Sequence, residues 1–300
     1  MLFGGIAINA VPIFPLLMLV LAVAVIVYSL AIEPLLCTVE VVNIPVRALN
    51  TPVKILFLTD MHHYKWGSRE AVFCKKLPST NVDLIFFGGD FIGDVTGIPT
   101  ATAFINAVSK RYVGAPMFAV FGNAEHKLRI LDQNRFAGIL QDHGVRVLCN
   151  DASKVTVGSQ SLTIVGTDDP YYGFHDLEQA FQGVGYEGPV ILLTHSPQIT
   201  RTVFRYAPDV ILCGHTHGGQ VRLPVIGPLR TQNPLTRLLS MGLYSPVALT
   251  KLFGANPQVH LWLYISRGLG LACIPKFRIM SPRLLCRPEI SLITLTGDNA

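Results

Sequence analysis

Seven side chains in this 300-residue chain share two properties: each can hold a cation, and each follows closely on a short apolar run. Asp60 and His62 lie in Thr-Asp-Met-His-His, Asp90 in Gly-Gly-Asp, and Asn123 in Gly-Asn-Ala-Glu-His. His195 follows a threonine, and His215 and His217 lie in Gly-His-Thr-His-Gly-Gly. Asp, Asn and His together form a borderline-hard donor set that suits Mn, Fe or Zn rather than Ca or a thiolate site. His215 and His217 are two apart, so an extended segment turns both to one side. The glycines around them permit a tight loop. The chemistry expected of such a set is metal-assisted.

The elements that must position these residues are legible as apolar runs. Val53–Leu58, Val82–Phe87, Met117–Phe121, Val190–Leu193 and Val210–Cys213 are short, continuous and bounded by turn residues. Runs of that kind read as strands buried on both faces. The gaps hold helices around Arg69–Leu77, Pro99–Ser109 and Asp132–His143, and the alternation argues for α/β layers. Ligand sites in such folds form at the carboxyl ends of strands, so one sheet is expected to bring all five ends together.

The order Asp-x-His, Gly-Asp, Gly-Asn, His, Gly-His-x-His resembles the signature of the calcineurin-like metallophosphoesterase superfamily over about residues 50–297. Gly214–Gln220 followed by Arg222-Leu223-Pro224, with Tyr264–Gly270 and Pro288-Glu289-Ile290 later, resembles its membrane-anchored bacterial branch. That branch includes phosphodiesterases and the enzyme that cleaves UDP-2,3-diacylglucosamine in lipid A synthesis. The resemblance implies a layered β-sandwich core flanked by helices. It also implies two divalent transition metals, manganese foremost. Asp60, His62 and His217 would hold one, Asn123, His195 and His215 the other, and Asp90 would bridge them. Two cations ~3.5–4 Å apart lower the pKa of a water between them and offset charge at phosphorus. Arg222 and Arg267 are expected to clamp phosphate by bidentate hydrogen bonds.

Two positions depart from the family pattern. The residue after Asn123 is usually a histidine that assists the leaving group, and here it is Ala124. His126 is expected to take its place as a catalytic residue beside Asn123 and Asp90, with His63 as the alternative. Asp94 lies four past Asp90, where the family often has an acid three past, and is expected to orient a ligand. A missing acid favours a good leaving group, so the expected reaction is cleavage of a phosphodiester or pyrophosphate bond. The specific expectation is UDP-2,3-diacylglucosamine to lipid X and UMP. The alternatives are a general phosphodiesterase or nuclease of the same fold, and a non-catalytic metal-binding interaction protein.

Composition fits a lipid setting. Half the residues are hydrophobic, 14% are charged, and mean hydropathy is +0.44, which excludes intrinsic disorder. No charged residue occurs between Leu2 and Ile32, and Pro15–Ile32 is long enough to cross a hydrocarbon core. No basic residue precedes the run and no small-x-small site follows it, so an uncleaved single-pass anchor is expected. The expected divisions are an anchor at 1–36, a linker at 37–52 and the catalytic domain at 53–300. Six scattered cysteines without a CxxC pair read as reduced thiols and lean the catalytic domain toward the cytosol, so an inner-membrane protein with its catalytic domain in the cytoplasm is expected. Residues 201–300 carry eleven Lys/Arg against three acids, a net of +8 that leaves −3 for the first 200. A basic C-terminal third suits an anionic partner, and the apolar basic stretch Pro234–Gly254 is expected to dip into lipid. Few aromatics accompany these arginines, so a membrane and a lipid-linked phosphate are expected as partners, not nucleic acid. The oligomeric state is left open.

Overall fold

The computed structural model describes residues 13–231, 237–254, 260–274, 279–280 and 282–297. Its architecture is two six-stranded sheets packed face to face with helices outside, an α/β sandwich. The first sheet contains β1 (Thr38–Val46), β2 (Val53–Leu58), β3 (Leu84–Phe87), β4 (Met117–Ala119), β5 (Val145–Val147) and the C-terminal β16 (Glu289–Gly297), in the order β1-β16-β2-β3-β4-β5. The second contains β6 (Asp151–Val157), β7 (Gln160–Gly166), β8 (Val190–Leu193), β9 (Val210–Cys213), β12 (Gly242–Tyr244) and β13 (Trp262–Ile265), in the order β12-β13-β9-β8-β7-β6. Two small hairpins, β10–β11 (Arg222–Leu223 with Gly227–Pro228) and β14–β15 (Cys273–Ile274 with Ile279–Met280), stand outside them.

Strand periodicity explains the layers. Along β2, Ile55 and Phe57 join the core between the sheets, whereas Leu56 and Leu58 face the outer helices. Phe73, Phe104 and Phe136 from α2 (Ser68–Lys76), α3 (Ile98–Arg111) and α4 (Ile130–Asp142) cover that outer face. On the far side, Ile211, Cys213, Leu263 and Ile265 pack against Ile199, Val203, Leu239 and Leu249. Strands sandwiched this way need apolar residues at every position, as the runs show.

Three expectations change. The five strand ends belong to two sheets, with β2, β3 and β4 in one and β8 and β9 in the other. The stretch 37–52 is no linker: β1 adds to the sheet edge, parallel to β16 from Thr38↔Glu289 to Val46↔Gly297. The apolar basic stretch at 234–254 is divided between core and surface, with Leu238, Val247 and Leu252 exposed. Leu239 and Leu249 are buried, and Phe253 packs against Phe204. Its residues 234–236 lie outside the described ones.

The N-terminal helix α1 (Ile13–Val27) buries no residue. Its helical path continues to Leu35, 23 residues that are long and apolar enough to cross a membrane.

Candidate metal centre

All seven expected ligands meet where the carboxyl ends of the two sheets adjoin. Asp60 and His62 follow β2, Asp90 follows β3, and Asn123 follows β4. His195 follows β8, and His215 and His217 follow β9. Ligand atoms of Asp60, His62 and His217 lie within 4.8 Å of one another, as do those of Asp60, Asp90 and His195. The Asp90 carboxylate spans both groups, with Oδ2 at 3.2 Å from His62 Nε2 and Oδ1 at 3.5 Å from His195 Nε2. Asn123 Oδ1 lies 3.1 Å from His195 Nε2 and 2.9 Å from His215 Nδ1.

The backbone is bent hard to achieve this. Asp60, His62, Asp90, His215 and His217 all have φ between +43° and +68°. Left-handed conformations in non-glycine residues persist only where the surroundings over-determine them, and they cluster at functional sites. Close approach is the other requirement. A Cβ on Gly122 would stand 2.4 Å from Asp90 Oδ1 and 2.7 Å from His195 Cε1.

The donor set fits a cation. His195 Nδ1 donates to Gly88 O at 2.8 Å, which leaves the Nε2 lone pair aimed at Asn123 and Asp90. His62 and His217 bring their Nε2 atoms to 3.0 Å. Burial disfavours charge on both, holding His62 at about 4 and His217 well below the ordinary histidine value. Burial and the neighbouring His195 push His215 down to about 3. Burial also opposes charge on His195, yet Asp90 beside it raises its pKa to about 10. Burial raises Asp60 to about 7. With His62, His215 and His217 held neutral, the buried Asp60 and Asp90 carboxylates draw positive charge to the centre: His195 supplies it by taking up a proton, and a metal would supply it in that proton's place.

Residues that single-sequence reading passed over hold the cluster in shape. Glu125, fully buried, accepts the amides of Asp90, Phe91 and Gly122 at 2.9 Å each and that of Ile92 at 3.4 Å. It therefore ties the Asp90 loop to the Asn123 loop. Arg283 is fully buried and donates to the carbonyls of Arg267, Gly268, Gly270 and Cys286. The same loop packs on Asp60, whose carbonyl accepts the Gly270 amide. Asp169, also buried, accepts the amides of Tyr171 and Tyr172, and the Tyr171 ring lies 4.7 Å from His215. Its signal was present: Thr167-Asp168-Asp169 follows the apolar run of β7 as Asp60 follows that of β2.

Other expected residues have different occupations. His126 Nε2 lies 2.6 Å from Asp168 Oδ1, and its ring packs on Phe174, at the rim and not in the ligand cluster. His63 bonds Glu70 and packs on Phe104 in the outer core, so it is not the missing acid. Asp94 is exposed and caps a turn by accepting the Thr96 amide; it orients no ligand. Arg267 is paired with Glu289 at 2.6 Å and with Glu40. Arg222 donates to Gly218 O at 2.7 Å and Ser240 Oγ at 3.2 Å. Both arginines brace the loops around the site. At the vacant acid position the Ala124 amide donates to Asp90 Oδ1 at 2.7 Å.

Residues 53–219 match the calcineurin-like phosphoesterase family, more than half of the chain. The chain belongs to that family. This phosphoesterase is a metal-dependent phosphoester hydrolase. It is 29% identical over 252 residues to the phosphodiesterase YaeI of Escherichia coli K12, covering 81% of this chain and 82% of that one. It is 30% identical over 192 residues to the UDP-2,3-diacylglucosamine pyrophosphatase LpxG of Chlamydia trachomatis, covering 61% of this chain and 55% of that one. Among solved structures, the protein TT1561 of Thermus thermophilus aligns with a TM-score of 0.44 at 13% identity, over 77% of this chain and 98% of that one.

Proposed function

We propose that this phosphoesterase hydrolyses a phosphodiester or pyrophosphate bond in a lipid-linked or nucleotide-linked substrate. UDP-2,3-diacylglucosamine, cleaved to lipid X and UMP, is the specific substrate we favour. The observation that carries the reading is the Asp90 carboxylate, which turns one oxygen to each group of histidines. Asp60, His62 and His217 would hold one metal and Asn123, His195 and His215 the other, with Asp90 shared. Such a pair supplies Lewis acidity at phosphorus.

The chain's own residues do the rest. The Gly88 carbonyl fixes the His195 tautomer, and Glu125 fixes the spacing between the Asp90 and Asn123 loops. Arg69 donates to the His62 carbonyl at 3.2 Å, which puts a cation beside the cluster and so favours an anionic substrate. With Ala124 beside Asn123 and His126 bound to Asp168, a leaving group departs with little help from an acid. A nucleotide or phosphate meets that condition and a simple alkoxide does not. The apolar helix supports a lipid-linked substrate and a single-pass anchor. Among the described residues, five cysteines are free thiols, in keeping with a cytoplasmic catalytic domain.

A hydrolysis screen with Mn²⁺ tests the reading, comparing UDP-2,3-diacylglucosamine, bis-nitrophenyl phosphate and an alkyl phosphate monoester. Fast cleavage of the pyrophosphate with UMP released supports it. Preference for the unactivated monoester refutes it. Cleavage of the nitrophenyl diester alone would favour the general phosphodiesterase that the likeness to YaeI suggests.

A further inference from the structure

The apolar helix enters the catalytic domain against one loop. No residue of α1 is buried, but one turn further on Ser29 and Glu33 are. The Arg283 amide donates to the Ser29 carbonyl at 2.9 Å. The Glu33 carboxylate accepts the Leu285 amide at 2.9 Å and the Cys286 amide beside it. A buried carboxylate on two backbone donors is a strong, oriented contact, so the helix exit and this loop move as one body. The loop also carries the β10–β11 hairpin. Val221 bridges to Leu284, and the Arg222 amide donates to Leu284 O at 2.9 Å.

Large apolar side chains stand in solvent around this exit. Val225, at the hairpin tip, is fully exposed, and Ile226, Leu229 and Leu285 are 58%, 53% and 56% exposed. Val225 has φ +67° and Leu285 φ +54°. Turn geometry alone would favour glycine or asparagine there. Neither the turn nor the core accounts for an exposed valine and leucine. Arg230 and Arg287, both exposed, flank the group. Apolar residues edged by arginines beside a bilayer crossing have the composition of an interfacial contact.

We propose that Val225 and Ile226 of the hairpin tip, with Leu229 and Leu285, insert into the membrane surface beside the anchor. The metal-binding loop then lies at headgroup height. His217 O accepts the Cys286 thiol at 3.2 Å, and Arg222 donates to Gly218 O, so the hairpin and the loop below it touch the His217 turn directly. A phosphate carried on a lipid reaches the ligands without leaving the bilayer. In its choice of substrate this rests on the function proposed above.

The full-length protein in phosphatidylcholine:phosphatidylglycerol 3:1 vesicles tests it in two ways. Ile226→Trp should add emission that bromine-labelled lipid quenches at least about twofold. Val113→Trp, exposed before β4 at the opposite end of its sheet, should add emission that is not quenched. Absence of quenching at 226 overturns the insertion. In the second arm, Val225→Asp/Ile226→Asp should lower kcat/KM at least tenfold on UDP-2,3-diacylglucosamine in vesicles and less than twofold on soluble bis-nitrophenyl phosphate. Equal losses on both overturn it. A wild type that hydrolyses neither substrate refutes the proposed function, while the quenching result still decides the membrane contact.

Discussion

Replacing Glu125 isolates what holds the metal loops together. Its carboxylate accepts three backbone amides at 2.9 Å and a fourth at 3.4 Å, all buried, from the loops that carry Asp90 and Asn123. Hydrogen bonds to a charged acceptor contribute about 1.5–3 kcal/mol each, and a buried donor left alone loses a similar amount. The loops of Glu125→Ala can relax toward water, so the expected loss is about 3–6 kcal/mol rather than the full sum. For a chain of this size ~1 kcal/mol shifts Tm by about 2–4 °C, so Tm should fall by about 6 °C or more. Glu125→Gln keeps the shape and one acceptor but turns an amide N–H toward amide donors, and should lose about half as much. Scanning calorimetry in detergent measures both, and metal analysis of the same samples reads out the loops. Both variants should bind metal more weakly than wild type, alanine more so. A Glu125→Ala protein with Tm within about 2 °C of wild type and full metal content would refute the bracing role.

Four further outcomes are expected. Asp90→Ala removes the carboxylate shared by both groups, and should bring metal content from about two equivalents to less than one and abolish hydrolysis. Gly122→Ala forces a Cβ to 2.4 Å from Asp90 Oδ1; it should lower activity at least about tenfold while the far-ultraviolet circular dichroism stays native. The His126–Asp168 pair gives a pH signature: His126 is raised, since Asp168 outweighs burial, and Asp168 is lowered, since His126 outweighs burial. Its stabilisation is therefore present between the ordinary aspartate and histidine values. It is lost as pH rises through the raised His126 value, and also as pH falls through the depressed Asp168 value. Asp168→Asn should flatten both limbs in thermal denaturation against pH. Finally, removal of residues 1–28 spares Glu33 and should leave soluble-substrate activity intact. Removal through Leu36 strips the caps from the Leu285 and Cys286 amides, and should yield a less stable, poorly active protein.

The ligands were readable because metal chemistry restricts residue types and because buried strands announce themselves. Val53–Leu58, Val190–Leu193 and Val210–Cys213 are strands with the expected bounds, and Asp60, His195 and His217, just past their ends, lie in the ligand cluster. Apolar runs do not reveal their partners, so division into two sheets was invisible: β2 and β9 read alike and lie in different layers. The edge strand β1, exposed at Val41 and Asn43 and interrupted by Glu40, Asn43 and Pro45, lacked a continuous run and read as a linker. Leu239 and Leu249 illustrate the converse, since apolar residues among arginines are compatible with lipid or with a core, and only packing decides. The roles of Glu125 and Arg283 were hidden for another reason. Both work by satisfying backbone groups of distant loops, and backbone amides and carbonyls are the same in every sequence.

Because each trio of donors draws on both halves of the sandwich, the cations would rivet one sheet to the other. Asp60 and His62 reach across to His217, and Asn123 to His195 and His215. Any ligand that favours the folded state shifts unfolding by mass action, so chelation should loosen the seam between the halves before it disturbs either alone. Holding the cations and holding the two layers together would thus be one task, shared by the same seven side chains.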